Sequence, residues 1–249
     1  VGYVFGTFTI GTIAQTAPDY WRLGLIVILP VAVYLFFFRR IKSAEPFTPS
    51  HEGPQSGKLS VAFWITWIGF VATISTEFAT AFWAADLVRD RTDASAAISV
   101  IAIMALGTGM GIGRFFGGRA MHKLSLDRQL LTILALQFIS FFALWLSHNL
   151  AISLVALLLN GLGISMQFAL TSLRLISHSD NRPELAIGKS ALAAGLAIGG
   201  APFLLGVLGD SFGISRAYMM VPVLIAIAAV IVIFVPSHMS QAELVRLEG

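Results

Sequence analysis

Residues 129–173 read QLLTILALQFISFFALWLSHNLAISLVALLLNGLGISMQFALTSL, without a single Asp, Glu, Lys or Arg. A helix rises about 1.5 Å per residue and the hydrocarbon core of a bilayer is about 30 Å thick, so this run is roughly twice too long for one crossing. Two membrane helices fold back on each other here, and the polar triplet Ser147-His148-Asn149 marks the turn. The same ruler applied outward predicts six more charge-poor spans: Val1 to Ala17, Tyr20 to Phe38, Leu59 to Ala85, Ala94 to Gly113, Ser190 to Gly209 and Ala217 to Pro236. The expected fold is all-α, a polytopic bundle of about eight transmembrane helices in this chain.

Composition agrees. Only 12% of the 249 residues are charged and 57% are hydrophobic, whereas a soluble domain carries about 25% charged residues. That excludes an ordinary soluble enzyme. With no cysteine, a disulfide framework, a thiolate nucleophile and a Cys-ligated metal are excluded as well. The net charge of +3 does not point to nucleic acid, because the basic residues form clusters beside apolar segments rather than one stripe. The chain enters directly at Val1-Gly-Tyr-Val-Phe with no basic segment and no cleavage site, so it does not open as a signal peptide. It reads as the middle of a helix, and further helices are expected before it.

Lys and Arg divide unequally between alternate sides. One side collects Arg39, Arg40, Lys42, Lys58, Arg114, Arg119, Lys123, Arg128, Arg174, Arg182, Lys189 and Arg246, the other only Arg22, Arg89, Arg91 and Arg216. By the positive-inside rule the richer side is cytoplasmic. Residues 39–58, with Pro46, Pro49 and Pro54, then form a cytoplasmic linker between a helix pair at 1–38 and six helices at 59–236, and residues 237–249 form a cytoplasmic tail. Gly6, Gly11, Trp21-Arg22 and Pro30 are echoed by Gly206, Gly209, Ser215-Arg216 and Pro222, which suggests duplicated halves.

Three stretches carry a family resemblance: Gly6 to Gly11 followed by Trp21-Arg22-Leu23-Gly24; Gly113-Arg114-Phe-Phe-Gly117-Gly118-Arg119-Ala-Met-His122-Lys123; and Gly199-Gly200-Ala-Pro202-Phe-Leu-Leu-Gly206-Val-Leu-Gly209-Asp210. They resemble the major facilitator superfamily of transporters, whose members have two six-helix halves joined by a long cytoplasmic linker. The resemblance implies that the chain covers the fifth to twelfth helices, with the first four absent. It also implies that Gly113, Arg114, Gly118, Arg119 and Lys123 belong to the basic cytoplasmic loop after the eighth helix. His122 stands where the family has Asp, and Ser125 where it has Gly. Gly6-Thr-Phe-Thr-Ile-Gly11 differs from the Gly-Pro-x-x-Gly-Gly of drug antiporters, which disfavours drug efflux.

Glu77 is the one ionisable residue deep in an expected span. A charge at mid-bilayer costs at least about 2.5 kcal/mol, so such a carboxylate is a functional candidate by default. Helical spacing puts Thr66, Phe70, Thr73, Glu77, Thr80 and Ala84 on one face. On the functional reading that face lines a central cavity, where Glu77 takes up a coupling proton or holds a polar group of the solute. On the structural reading Glu77 bonds a neighbouring helix near the outer interface. Ser153, Asn160, Gln167, Thr171 and Arg174 form a second polar face, read as cavity lining, with Arg174 snorkelling to the headgroups. Gly107, Gly109, Gly111 and Gly113, and likewise Gly195 and Gly199, have the spacing of close helix packing. Gly199-Gly200 with Pro202 is a candidate hinge.

His51, His122, His148, His178 and His238 fall in loops or at ends, without metal-site spacing. No nucleophile elbow or paired catalytic carboxylates appear, so no catalytic residue, metal or cofactor is expected. The expected partners are membrane lipid, a small-molecule solute and H+ as a coupling ion, with no nucleic acid. The leading expectation is a multi-pass secondary transporter of the cell (inner) membrane, a symporter or antiporter working by alternating access. The alternative is a polytopic membrane enzyme or sensor built on the same scaffold.

Overall fold

A computed structural model describes residues 55–237 of the chain, with Val33 the one further residue. The helices expected over 1–38, the linker up to residue 54 and the tail from residue 238 lie outside the described residues. The chain divides into two compact units, Val1–Ser56 and Gly57–Gly249, and the description that follows concerns the second.

The described residues form helices and no strand. In order these are α1 (Val61–Thr92), α2 (Ala96–Met121), α3 (Leu126–Leu146), α4 (Leu150–Ile164), α5 (Gln167–Ser177), α6 (Pro183–Phe212), α7 (Ile214–Ala217) and α8 (Met220–Phe234). The pairs α4 with α5 and α7 with α8 each make one crossing, so six helical segments are long and apolar enough to span a membrane. Together they form an all-α bundle of membrane-crossing helices.

Local chemistry sets the boundaries. The Ser60 hydroxyl accepts from the Phe63 N–H at 3.2 Å and starts α1, and Asp93 ends it in a left-handed conformation with φ 52°. Between α3 and α4 the chain turns at Ser147-His148-Asn149, where Asn149 Oδ1 accepts from the N–H groups of Ala151 and Ile152. An amide oxygen in that position satisfies two of the donors that every helix start leaves open. Pro183 sits in the first turn of α6, where its missing N–H costs no bond.

Three sequence expectations change. Asp86, Arg89, Asp90 and Arg91, beyond the span expected to end at Ala85, form the last turns of α1, because a helix does not stop where hydrocarbon ends and its C-terminal dipole favours Arg89 and Arg91. Gly113, Arg114, Gly118 and Arg119, read as a loop, lie on α2, and of that motif only His122 and Lys123 fall in the connecting turn. The tenth family-like span is interrupted at Ser165-Met166. Gly199, Gly200 and Pro202 lie inside the unbroken helix α6.

Packing explains part of the glycine pattern. A Cβ on Gly109 would lie 2.0 Å from the Leu158 carbonyl oxygen, and one on Gly161 would lie 2.1 Å from that of Leu106. The α2 and α4 backbones therefore meet directly through a small residue from each side. Among the described residues nothing lies within 4 Å of such a Cβ at Gly111, Gly195 or Gly199, so the close approach is seen at Gly109 and Gly161 and not at these three. Outside, the surface is apolar: Ile139 is 68% exposed and Phe203 73%, which suits a hydrocarbon solvent and not water.

Candidate functional site

Helix α1 is the axis of this unit, in contact with α2, α5, α6 and α8. Its face of Thr66, Phe70, Thr73, Thr80 and Ala84 is buried against those neighbours. Spacing had grouped these residues correctly. Their common direction is the interior of their own bundle. Thr73 Oγ1 donates to the Gly69 carbonyl at 2.7 Å, and the Thr80 carbonyl accepts from the Tyr218 hydroxyl at 3.3 Å. Glu77, at the middle of α1, is half-buried. The exposed Arg114 on α2 acts on it electrostatically.

One residue before Glu77, Thr76 enters a buried polar network that joins four helices. Its hydroxyl lies 3.3 Å from Gln137 Oε1 of α3, and Gln167 Nε2 of α5 donates to the same oxygen at 2.9 Å. Asn160 Nδ2 of α4 donates to Ser140 Oγ at 3.1 Å and lies 3.3 Å from the Gln137 carbonyl. Asn160 is 3% exposed and Gln167 0%. As placed here, both amides bond across helices within the bundle.

The network leaves groups unsatisfied. Gln137 Nε2, Asn160 Oδ1, Gln167 Oε1 and Ser153 Oγ are buried without a partner among the described residues. An unmade bond of this kind costs about 1–3 kcal/mol. Thr76, Gln137 and Ser140 were not singled out in sequence. The available signal was an amide, Gln137, within the uncharged run, with Ser140 three residues on.

Nearer the α3 N-terminus, Thr66, Thr73, Thr171 and Arg174 line a small cavity with room for about one water. The Thr66 hydroxyl has no partner. Arg174 does not snorkel: its side chain is 2% exposed and its Nε lies 2.7 Å from Asp127 Oδ1. Its Nη2 also donates to the carbonyls of Val232 and Val235 at the end of α8, and Asp127 Oδ2 accepts the Ser237 N–H at 2.7 Å. The ion pair ties α3, α5 and the end of α8 together.

At the opposite end, Trp83, Asp86, Asp90 and Asp210 line an open vestibule between α1 and α6. Trp83 Nε1 donates to the Pro202 carbonyl at 2.9 Å, and its ring closes on Gly206, where a Cβ would meet it at 2.9 Å. The candidate hinge residue Pro202 is thereby held by α1. Among the described residues no group of three or more His, Asp or Glu is placed to hold a metal ion.

Six apolar crossings among the described residues, packed around a buried polar network, define a polytopic membrane protein of the helical-bundle class. The family model described as Major Facilitator Superfamily matches residues 1–184, and the chain belongs to that superfamily. It is a membrane transporter by family, and a multi-pass membrane protein by its helices. No curated protein matches the chain.

Proposed function

We propose that the protein is a secondary active transporter of a small solute, driven by protons through Glu77. The observation that carries this reading is the position of Glu77 at the middle of the axial helix, half-buried. Transporter sites of this kind lie near the bilayer midplane, and alternating access rocks one bundle against the other around them. Thr73 and Thr80 flank Glu77 on one face by helical spacing, while Asn160 and Gln167 hold buried amide oxygens without a partner among the described residues. Those oxygens would accept from N–H or O–H groups of a solute once the bundle opens. Gly199, Gly200 and Pro202 would let α6 bend, and the basic end Gly113–Lys123 would face the cytoplasm together with the linker and tail, in a cell membrane.

The test is solute flux in proteoliposomes of the transporter, over a panel of small anions, cations and neutral polar solutes. For Glu77→Gln the expectation is loss of accumulation driven by a pH gradient, with solute exchange at equal pH retained. Full gradient-driven accumulation by that variant would refute the role of Glu77.

A further inference from the structure

Helices α2 and α3 are consecutive and antiparallel, yet they part at the end where they are joined. Between them runs an open groove of about 210 Å3, walled by Ile112, Phe116 and Ala120 on α2 and by Ile133 and Leu136 on α3. From Ile112 to Met121 it reaches about 13 Å along the helix. Its floor is the α4–α5 junction, because Gly113 and Gly117 have no side chains: a Cβ there would meet Ser165 Oγ at 2.1 Å and Met166 Sδ at 2.5 Å. The hydroxyls in the lining turn away from an occupant. Ser165 Oγ donates to the Leu162 carbonyl at 2.6 Å and Thr132 Oγ1 to the Arg128 carbonyl at 2.8 Å. The groove therefore offers carbon along its length, which suits an acyl chain and not a polar solute.

Its mouth is basic. Arg128 continues the groove-lining stripe of Thr132 and Leu136 by helical spacing, Arg119 precedes Ala120, and both arginines are exposed. Lys123 lies in the turn between them. Between Asp93 and Asp180 the only acidic residue is Asp127, and its carboxylate is engaged by Arg174 and the Ser237 N–H. An apolar slot ending in cationic side chains at a bundle end is complementary to a lipid with a negative headgroup.

We propose that this groove binds one anionic phospholipid, with an acyl chain between α2 and α3 and the headgroup phosphate on Arg119 and Arg128. The chain contains no cysteine, so Ala120→Cys introduces a single site for a bimane label in the slot. Reconstituted in phosphatidylcholine vesicles, the labelled protein is titrated with acyl-chain nitroxide lipids carrying either phosphatidylglycerol or phosphatidylcholine headgroups. Phosphatidylglycerol should quench at a lower mole fraction, with the preference falling about fivefold for each of Arg119→Gln and Arg128→Gln. The pair Arg119→Lys/Arg128→Lys should keep most of it, which separates charge from misfolding. Equal quenching by the two lipids in the labelled parent would overturn the proposal. So would quenching by neither, which would mean that protein covers the slot.

Discussion

Removing the Asp127 carboxylate should destabilise the bundle more than any other single charge change among the described residues. Arg174 is 2% exposed and Asp127 20%, and breaking a buried pair by deleting one partner costs about 3–5 kcal/mol because the remaining charge stays buried. Two features place Asp127→Ala near the lower limit. The guanidinium keeps its bonds to the α8 carbonyls, and the Asp127 site is partly open to solvent. We expect about 3 kcal/mol for Asp127→Ala, and about 1–1.5 kcal/mol for Asp127→Asn, which still accepts the Ser237 N–H. Arg174→Met leaves behind an acid that water can reach, so it should cost less than Asp127→Ala. In the double variant Asp127→Ala/Arg174→Met the stranded charge is gone, and it should be more stable than Asp127→Ala alone. Denaturant unfolding in detergent micelles, followed by tryptophan fluorescence, measures all four. A loss below about 0.5 kcal/mol for Asp127→Ala, or a double variant as unstable as the sum of the singles, would show that the pair is not coupled in the folded protein.

The remaining predictions concern packing and capping. Gly109→Ala should destabilise by about 1–3 kcal/mol, since its Cβ has no space against the Leu158 carbonyl. Gly111→Ala, with open space around it, should instead be neutral or stabilising by up to about 1 kcal/mol, because glycine is a poor residue inside a helix; thermal unfolding of the two variants in one detergent compares them directly. Asn149→Ala should cost about 1 kcal/mol through the lost cap of α4, read as an earlier unfolding midpoint. Trp83→Phe removes the bond to the Pro202 carbonyl and should cost about 1 kcal/mol; the same variant should raise amide exchange in α6 around Pro202, and unchanged exchange there would separate Trp83 from any control of that helix.

The membrane fold was legible because the bilayer sets a length, and residues 129–173 exceed it without a charge. The turn was legible too, since Asn149 is both the polar break and the cap. Helix ends were less so: Asp86 to Thr92 and Gly113 to Met121 continue as helix beyond the uncharged run, and charge marks the edge of hydrocarbon rather than the last hydrogen bond. At the candidate site, spacing states which residues share a face but not which neighbour that face meets. Thr66, Thr73 and Thr80 do share one, and it meets helices whose relevant residues, such as Tyr218, lie more than a hundred positions away. Arg174 illustrates the same gap: a basic residue after a long apolar run looks like a headgroup anchor until topology brings Asp127 to 2.7 Å. Gln137 was not legible because only Ser140 follows it one turn on, too little to mark a polar face of α3, although in hydrocarbon an amide must find partners just as a charge must. The polar groups inside this bundle are therefore of two kinds. Arg174 and Asp127 satisfy each other and tie helices together, whereas Gln137, Asn160 and Gln167 each keep a buried polar atom without a partner among the described residues.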